Sequence, residues 1–99
     1  MTQPRDTNWD DYMFEALQDP AEAAAYLDAM LALNDTAGML MALRHVAKAH
    51  GMAEVARRAE LGEKTLFKTL SEQGNPTVST LSRVLQSLGL RLRIEPISA

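Results

Sequence analysis

The sequence contains no cysteine, only two histidines and only five aromatic residues among its 99 residues. The absence of cysteine excludes disulfide frameworks, thiolate metal sites and cysteine nucleophiles. His45 and His50 are five residues apart and point to different faces of a helix, so they do not form a metal-binding pair. We therefore expect a protein that is not an enzyme and that uses no metal or other cofactor.

Long hydrophobic runs are also missing. No run approaches the roughly 18 apolar residues of a membrane-spanning helix, and the opening residues MTQPRDTNWDDY are too polar and acidic for a secretory signal. Hydrophobic residues make up 46% of the chain and charged residues 23%, as in an ordinary globular domain. The sequence predicts one folded core and a cytoplasmic location.

Basic residues are nearly absent from the first third of the chain. Residues 1–36 hold one base and eight acids, a net charge of −7, whereas residues 37–99 hold nine bases and five acids, a net charge of +4. This division suits a basic protein partner for the first part and a polyanion for the second. An acidic surface that is merely solvated is the alternative.

The periodicity predicts an all-α fold of five helices with one short C-terminal strand. Residues 1–18 are expected to form an N-terminal arm, and residues 19–99 a single domain. Helix-start residues and glycine stops predict helices over 21–33, 35–50, 52–59, 63–73 and 78–88. Leu90, Leu92 and Ile94 alternate with charged residues, which predicts a strand over 90–95.

Residues 52–73 have the pattern of a helix-turn-helix unit. Two short helices are separated by the break Glu60-Leu61-Gly62, and the small residue Ala56 allows them to cross closely. The second helix presents hydrogen-bonding groups that suit a major groove. These residues are Glu63, Lys64, Thr65, Phe67, Lys68 and Ser71.

A plain helical bundle with a solvated face is the alternative for this unit. Over residues 52–73 four bases are matched by four acids, so the local net charge is zero. A strong non-specific DNA binder is more basic than that. The large aromatic Phe67 favours the DNA-binding interpretation, because it can pack on a thymine methyl group, unless it packs against the neighbouring helix.

The residues resemble those of addiction-module antidote proteins, HigA-like antitoxins with an Xre/Cro-type helix-turn-helix. The resemblance covers most of the chain, through the stretches AEAAAYLDAML and LMALRHVAKAHGMAEVARRAELGEKTLFKTLSEQGNPTVSTLSRVLQSLGLRLRIEP. The ordered set AKAHGM, LFKTLS, GNPT and LGL carries more information than a helix-turn-helix pattern alone. It identifies the chain as resembling an antitoxin.

The resemblance implies two partners. One is a toxin similar to the messenger-RNA interferases of the RelE superfamily, which the antitoxin binds and silences, and the other is its own operator DNA, where it acts as a repressor. By position, the residues that meet the major groove are Lys64, Thr65, Phe67 and Lys68, and those expected at phosphates are Ser71 and Asn75.

Two positions depart from the family pattern. Glu60 stands where the family usually has a turn glycine, and a left-handed position costs a non-glycine residue about 1 kcal/mol or more. Gly62-Glu63 replaces a Ser-Arg helix start, which removes a cap and a base. The family's operator sequence therefore cannot be transferred to this chain.

A lone strand over residues 90–95 needs a partner, which could be the arm, the same strand of a second copy or an edge strand of the toxin. We expect a homodimer through Leu90, Leu92 and Ile94, because helix-turn-helix proteins read palindromes as pairs. The alternative functions are a stand-alone Xre-type regulator and a protein that neutralises its partner without binding DNA.

Overall fold

The computed structural model describes the backbone of residues 5–98 and the side chains of residues 11–98. This part of the chain forms six α-helices and no strand. The helices are α1 (Arg5–Leu17), α2 (Pro20–Ala32), α3 (Thr36–His50), α4 (Met52–Ala59), α5 (Glu63–Thr69) and α6 (Val78–Ser87). The all-helical class is confirmed, whereas the expected count of five helices was wrong.

The additional helix is α1, which lies where the sequence predicts an arm. Among its described side chains Leu17 is buried and Met13 and Ala16 are half-buried, while Tyr12 and Phe14 are exposed, so the helix carries a weak apolar period. Contacts with α2 and α3 stabilise it instead. Residues 1–4 of the expected arm lie outside the described residues.

Side-chain caps set the starts of α2 and α3. The Asp19 carboxylate accepts a hydrogen bond from the Ala21 amide at 3.0 Å, and the Asp35 carboxylate accepts one from the Gly38 amide at 3.0 Å. Each cap satisfies an amide that has no partner inside its helix. The helix α2 begins at Pro20, within one residue of the predicted range 21–33.

The core is organised around α3, which packs against α1, α2 and α4, while α6 packs against α4. Fully buried side chains join these helices, among them Leu40, Leu43, Val46, Val55, Leu66, Leu70, Val84 and Leu88.

Tyr26 of α2 also contacts His45 of α3, with its hydroxyl 3.0 Å from Nδ1. Partial burial raises the pKa of Tyr26, so this phenol stays protonated at neutral pH.

The C-terminal segment does not form the predicted strand. Leu90 donates its amide hydrogen to the Leu85 carbonyl at 2.8 Å, and no ladder of backbone hydrogen bonds follows in residues 91–98. Alternation produces a strand only where a second backbone supplies partners, and no described segment of the chain does so. Ile94 is consequently 98% exposed and Leu92 is 42% exposed.

No helix within residues 5–98 is both long enough and apolar enough to cross a bilayer.

Candidate nucleic-acid interface

The candidate interface is built on α4 and α5, which pack against each other across a short turn. Ala56 is 2% exposed, so a larger side chain has no room there. Leu66 of α5 is fully buried, and Leu61 packs half-buried against the core at the turn. These contacts fix α5 on the core by one face and leave its opposite face in solvent.

The turn between the two helices contains a strained residue. Glu60 has φ 61° and ψ 44°, a left-handed conformation that favours glycine. The Leu61 amide donates to the Ala56 carbonyl at 2.8 Å, and the Glu60 amide to the Arg57 carbonyl at 3.2 Å. This is the hydrogen-bond pattern that closes a helix on a left-handed residue. The left-handed turn expected at this position is therefore present, with glutamate in the place of glycine.

The outward face of α5 carries the side chains that the sequence predicts for DNA binding. Glu63, Lys64, Thr65 and Lys68 are exposed. Lys64 and Lys68 lie one helical turn apart, and no described carboxylate forms an ion pair with either of them. Two unpaired ammonium groups therefore share the solvent face of α5.

Phe67 contacts a residue of another helix. Its side chain is half-buried, and the guanidinium carbon of Arg44 lies over its ring, 5.2 Å from the ring centroid. This distance is within the range of a cation–π interaction. The ring thus packs against the neighbouring α3, as one of the two interpretations of Phe67 holds.

Arg44 is a residue of this surface that sequence reasoning missed. It belongs to α3, 23 positions before Phe67, so no motif joins the two residues. The one local signal is that Leu43 and Ala47 beside it in the helix are buried. A long side chain at such a position lies along the edge of the core.

The chain beyond α5 forms a depression that brings the expected phosphate-contact residues together. A cavity of about 280 Å³ is lined by Lys68, Thr69, Ser71, Gln73, Gly74 and Asn75.

The helix α5 ends at Thr69 instead of at the predicted residue 73. Gly74 approaches the Thr69 carbonyl so closely that an added Cβ would lie 2.0 Å from the oxygen. Only glycine fits this turn, which returns the chain toward α6.

Ser71 is already engaged within this turn. Its hydroxyl donates to the Lys68 carbonyl at 2.8 Å. A serine hydroxyl has one hydrogen to donate, so a contact from Ser71 to a phosphate requires this bond to break. The exposed Asn75, for which no such bond is found among the described residues, is the freer donor of the two.

Two of the four bases in residues 52–73 share a single carboxylate. Arg58 donates from Nε to Glu54 Oε2 at 2.7 Å, and Arg57 donates from Nε to Glu54 Oε1 at 3.2 Å. The hydrogen bond from Arg57 is the main reason why the pKa of Glu54 falls below its usual value. Lys64, Lys68 and Arg44 lie outside this cluster, and no described carboxylate forms an ion pair with them.

A second candidate surface is acidic and lies on α1 and α2. The carboxylates of Asp11, Glu15, Glu22 and Asp28 are exposed there, and those of Asp6 and Asp10 lie outside the described side chains. Large apolar side chains are exposed beside them: Tyr12, Phe14, Leu31 and Leu33. Exposed apolar residues of this size are typical of a protein-binding surface, and the carboxylates make a basic partner the better match.

The C-terminal segment borders a groove of about 460 Å³ against α2. Leu90 and Leu92 line it on one side, and Leu27 and Leu31 line it on the other. Ile94, the third residue expected at a dimer interface, is almost fully exposed outside the groove. The structure therefore leaves apolar surface uncovered along residues 90–94.

The chain is similar to known proteins over most of its length. A family model described as "Probable addiction module antidote protein" matches residues 8–96, nearly the whole chain. A protein of Haemophilus influenzae described as uncharacterized is 33% identical over 81 residues, which cover 82% of this chain and 84% of the relative. No solved structure matches the chain.

Proposed function

Because the chain belongs to the family of probable addiction module antidote proteins, we propose that it is the antitoxin of a toxin–antitoxin module. In this proposal it binds and silences a toxin similar to the RelE-superfamily messenger-RNA interferases, and it represses its own operon by binding operator DNA. The family match over residues 8–96 is the observation that carries the antitoxin role. The two chemically different surfaces support a division between the two partners.

The DNA-binding part of the proposal places α4 and α5 as a helix-turn-helix unit, with α5 in the major groove. Exposed Lys64 and Lys68 lie on its solvent face, and the depression beside Lys68 faces the phosphate backbone. The proposed contact residues are Glu63, Lys64, Thr65, Phe67, Lys68, Ser71 and Asn75. Glu63 can accept a hydrogen bond from a cytosine amino group.

The toxin-binding part of the proposal uses the acidic surface of α1 and α2. An enzyme that cleaves RNA binds a polyanion, so its active surface is basic and complements carboxylates. The exposed Tyr12 and Phe14 supply apolar contacts between those carboxylates. Occupying the basic surface of the toxin would block access of its RNA.

Dimerisation completes the proposal. Residues Leu90, Leu92 and Ile94 present apolar surface that a second copy would cover. A dimer would place two α5 helices about one duplex turn, roughly 34 Å, or a multiple of it apart on a palindromic operator.

Substitution of the acidic residues between positions 11 and 35 by serine tests the assignment of the toxin surface. The variant changes Asp11, Glu15, Asp19, Glu22, Asp28 and Asp35, and serine keeps the helix caps at Asp19 and Asp35. Binding to the protein encoded by the adjoining reading frame, measured by calorimetry, should weaken by at least about tenfold, because charge complementarity is lost. Operator binding should persist.

The matched control changes an exposed acid far from α1 and α2 in the sequence, Glu72, to serine. This control should retain toxin binding. Equal loss of toxin and operator binding in the six-residue variant would refute the division between surfaces.

A protein-only neutraliser remains the second candidate function, since the local charge of residues 52–73 sums to zero. A stand-alone Xre-type regulator is the third. An adjoining reading frame that encodes a small basic protein would argue against the regulator, and absence of operator binding would favour the neutraliser.

A further inference from the structure

Arg44 lies outside the α4–α5 unit but is attached to it through Phe67. Its guanidinium carbon is 5.2 Å from the Phe67 ring centroid, and both side chains are half-buried. The cation–π contact with the ring holds the guanidinium beside α5. Arg44 therefore occupies a fixed position relative to the proposed reading helix.

The helical geometry places this position on the flank of α5. Successive residues of a helix are turned by about 100°, so Phe67 lies about a quarter turn from the core-facing direction that buried Leu66 and Leu70 define. Lys68 lies about half a turn from it and faces solvent directly. When a helix lies in a major groove, its outer face meets base edges and its flanks meet the two sugar–phosphate backbones.

The chemistry of Arg44 suits a phosphate. A guanidinium that stacks through its face keeps its N–H donors in the plane of the group, at its edge. Among the described residues no carboxylate forms an ion pair with Arg44. Its Nε is buried, so the terminal amino groups of the guanidinium are the donors left for a phosphate. Arg44 is thus a cation held beside α5, with N–H donors that form no other bond in the described part of the chain.

We infer that Arg44 is a DNA-backbone contact, a guanidinium held over Phe67 that donates to a phosphate at the edge of the groove occupied by α5. The inference rests on the proposed operator binding. It assigns a role in that binding to α3, which lies before the helix-turn-helix unit. It also gives Phe67 a second role, as the support on which Arg44 is stacked.

Arg44→Gln tests the inference in the full-length protein. Fluorescence anisotropy is measured on a duplex from the protein's own upstream region and on a scrambled duplex, each across a salt series. We expect about tenfold weaker binding to both duplexes, because a charge-assisted bond to the backbone is lost. The slope of log affinity against log salt should fall by about 1, since one fewer phosphate is neutralised.

Two further variants separate this contact from general effects. Arg44→Lys keeps the charge but loses the flat, forked donor group, so it should retain most of the salt slope and only part of the affinity. Arg57→Gln removes the same charge from a guanidinium that is already bonded to Glu54, and it should change the slope less than Arg44→Gln does. Circular dichroism confirms that each variant is folded.

The possible failures are distinguishable. If Arg44→Gln leaves affinity and slope unchanged while Lys64→Ala/Lys68→Ala weakens binding, the inference is wrong and operator binding stands. If Arg57→Gln lowers the slope as much as Arg44→Gln, the effect is one of net charge and the inference is again wrong. A changed ratio of affinities for the two duplexes would indicate a base contact and would overturn the backbone assignment. If the unmodified protein binds neither duplex, operator binding fails and the inference fails with it.

Discussion

At the residue scale, Glu60 adopts a strained left-handed backbone conformation that the turn between α4 and α5 requires. Its φ of 61° turns the chain sharply enough to bring α5 across α4. The bond from the Leu61 amide to the Ala56 carbonyl holds that turn closed, so the surrounding structure imposes the conformation on a residue that disfavours it.

Replacing Glu60 with glycine should stabilise the protein. Glycine adopts a left-handed conformation without a steric penalty, and relief of about 1 kcal/mol is partly offset by its greater freedom in the unfolded chain. We expect a net gain of about 0.5 kcal/mol in the free energy of unfolding, measured by urea denaturation.

Glu60→Ala is the control for the carboxylate, whose Oε1 lies 4.0 Å from Arg83 Nη1 in an exposed ion pair of small value. Alanine keeps the Cβ atom and should show no gain. A gain in Glu60→Ala equal to that in Glu60→Gly would show that the carboxylate, and not the backbone conformation, is responsible.

At the element scale, caps and glycines determine where the helices begin and end. The starts of α4, α5 and α6 agree with the sequence prediction, because Gly51, Gly62 and Thr77 mark them locally. The end of α5 does not agree, since it depends on the close approach of Gly74 to the Thr69 carbonyl. The path of the folded chain determines this approach, and no periodic pattern in the sequence predicts it.

The cap of α6 is a direct test of this local control. Thr77 Oγ1 accepts a hydrogen bond from the Thr80 amide at 3.1 Å. Thr77→Ala should lower the free energy of unfolding by about 1 kcal/mol, whereas Thr77→Ser should retain most of it because serine caps equally well. Equal stability of all three proteins in urea denaturation would show that this cap is dispensable.

At the scale of the whole molecule, the sequence predicts local features better than contacts between distant segments. The helical class and most helix starts follow from periodicity and from local start and stop residues, whereas the exposure of the apolar residues Leu31 and Val78 does not. The helix α1 forms through contacts with α2 and α3, and its own apolar pattern is weak.

The same contrast between local features and distant contacts holds for the candidate site. The outward residues of α5 follow from helical spacing, whereas Arg44 reaches the site from another helix and has no motif. The zero net charge of residues 52–73 does not describe how the charges are distributed, because Arg57 and Arg58 share Glu54, whereas Arg44 lies outside that window. Which charges remain available is a property of the folded molecule.

The proposed dimer is tested by Leu92→Asp. Leu92 is 42% exposed and borders the groove against α2. Two buried aspartates would face each other across the interface, so the variant should be a monomer by light scattering and should bind operator DNA more weakly. Leu33→Asp, at an exposed leucine outside that groove, is the control. A Leu92→Asp protein that remains dimeric would exclude this interface.

The central claim, that α5 reads operator DNA, is tested most directly by fluorescence anisotropy. The protein and its Lys64→Ala/Lys68→Ala variant are titrated onto a duplex from the upstream region and onto a scrambled duplex, across a salt series. Tighter binding of the unmodified protein to its own duplex is predicted, together with a loss of about 2–4 kcal/mol and a smaller salt slope in the variant. Equal, weak binding to both duplexes, unchanged in the variant, would contradict the claim and leave an antitoxin that acts on its protein partner alone.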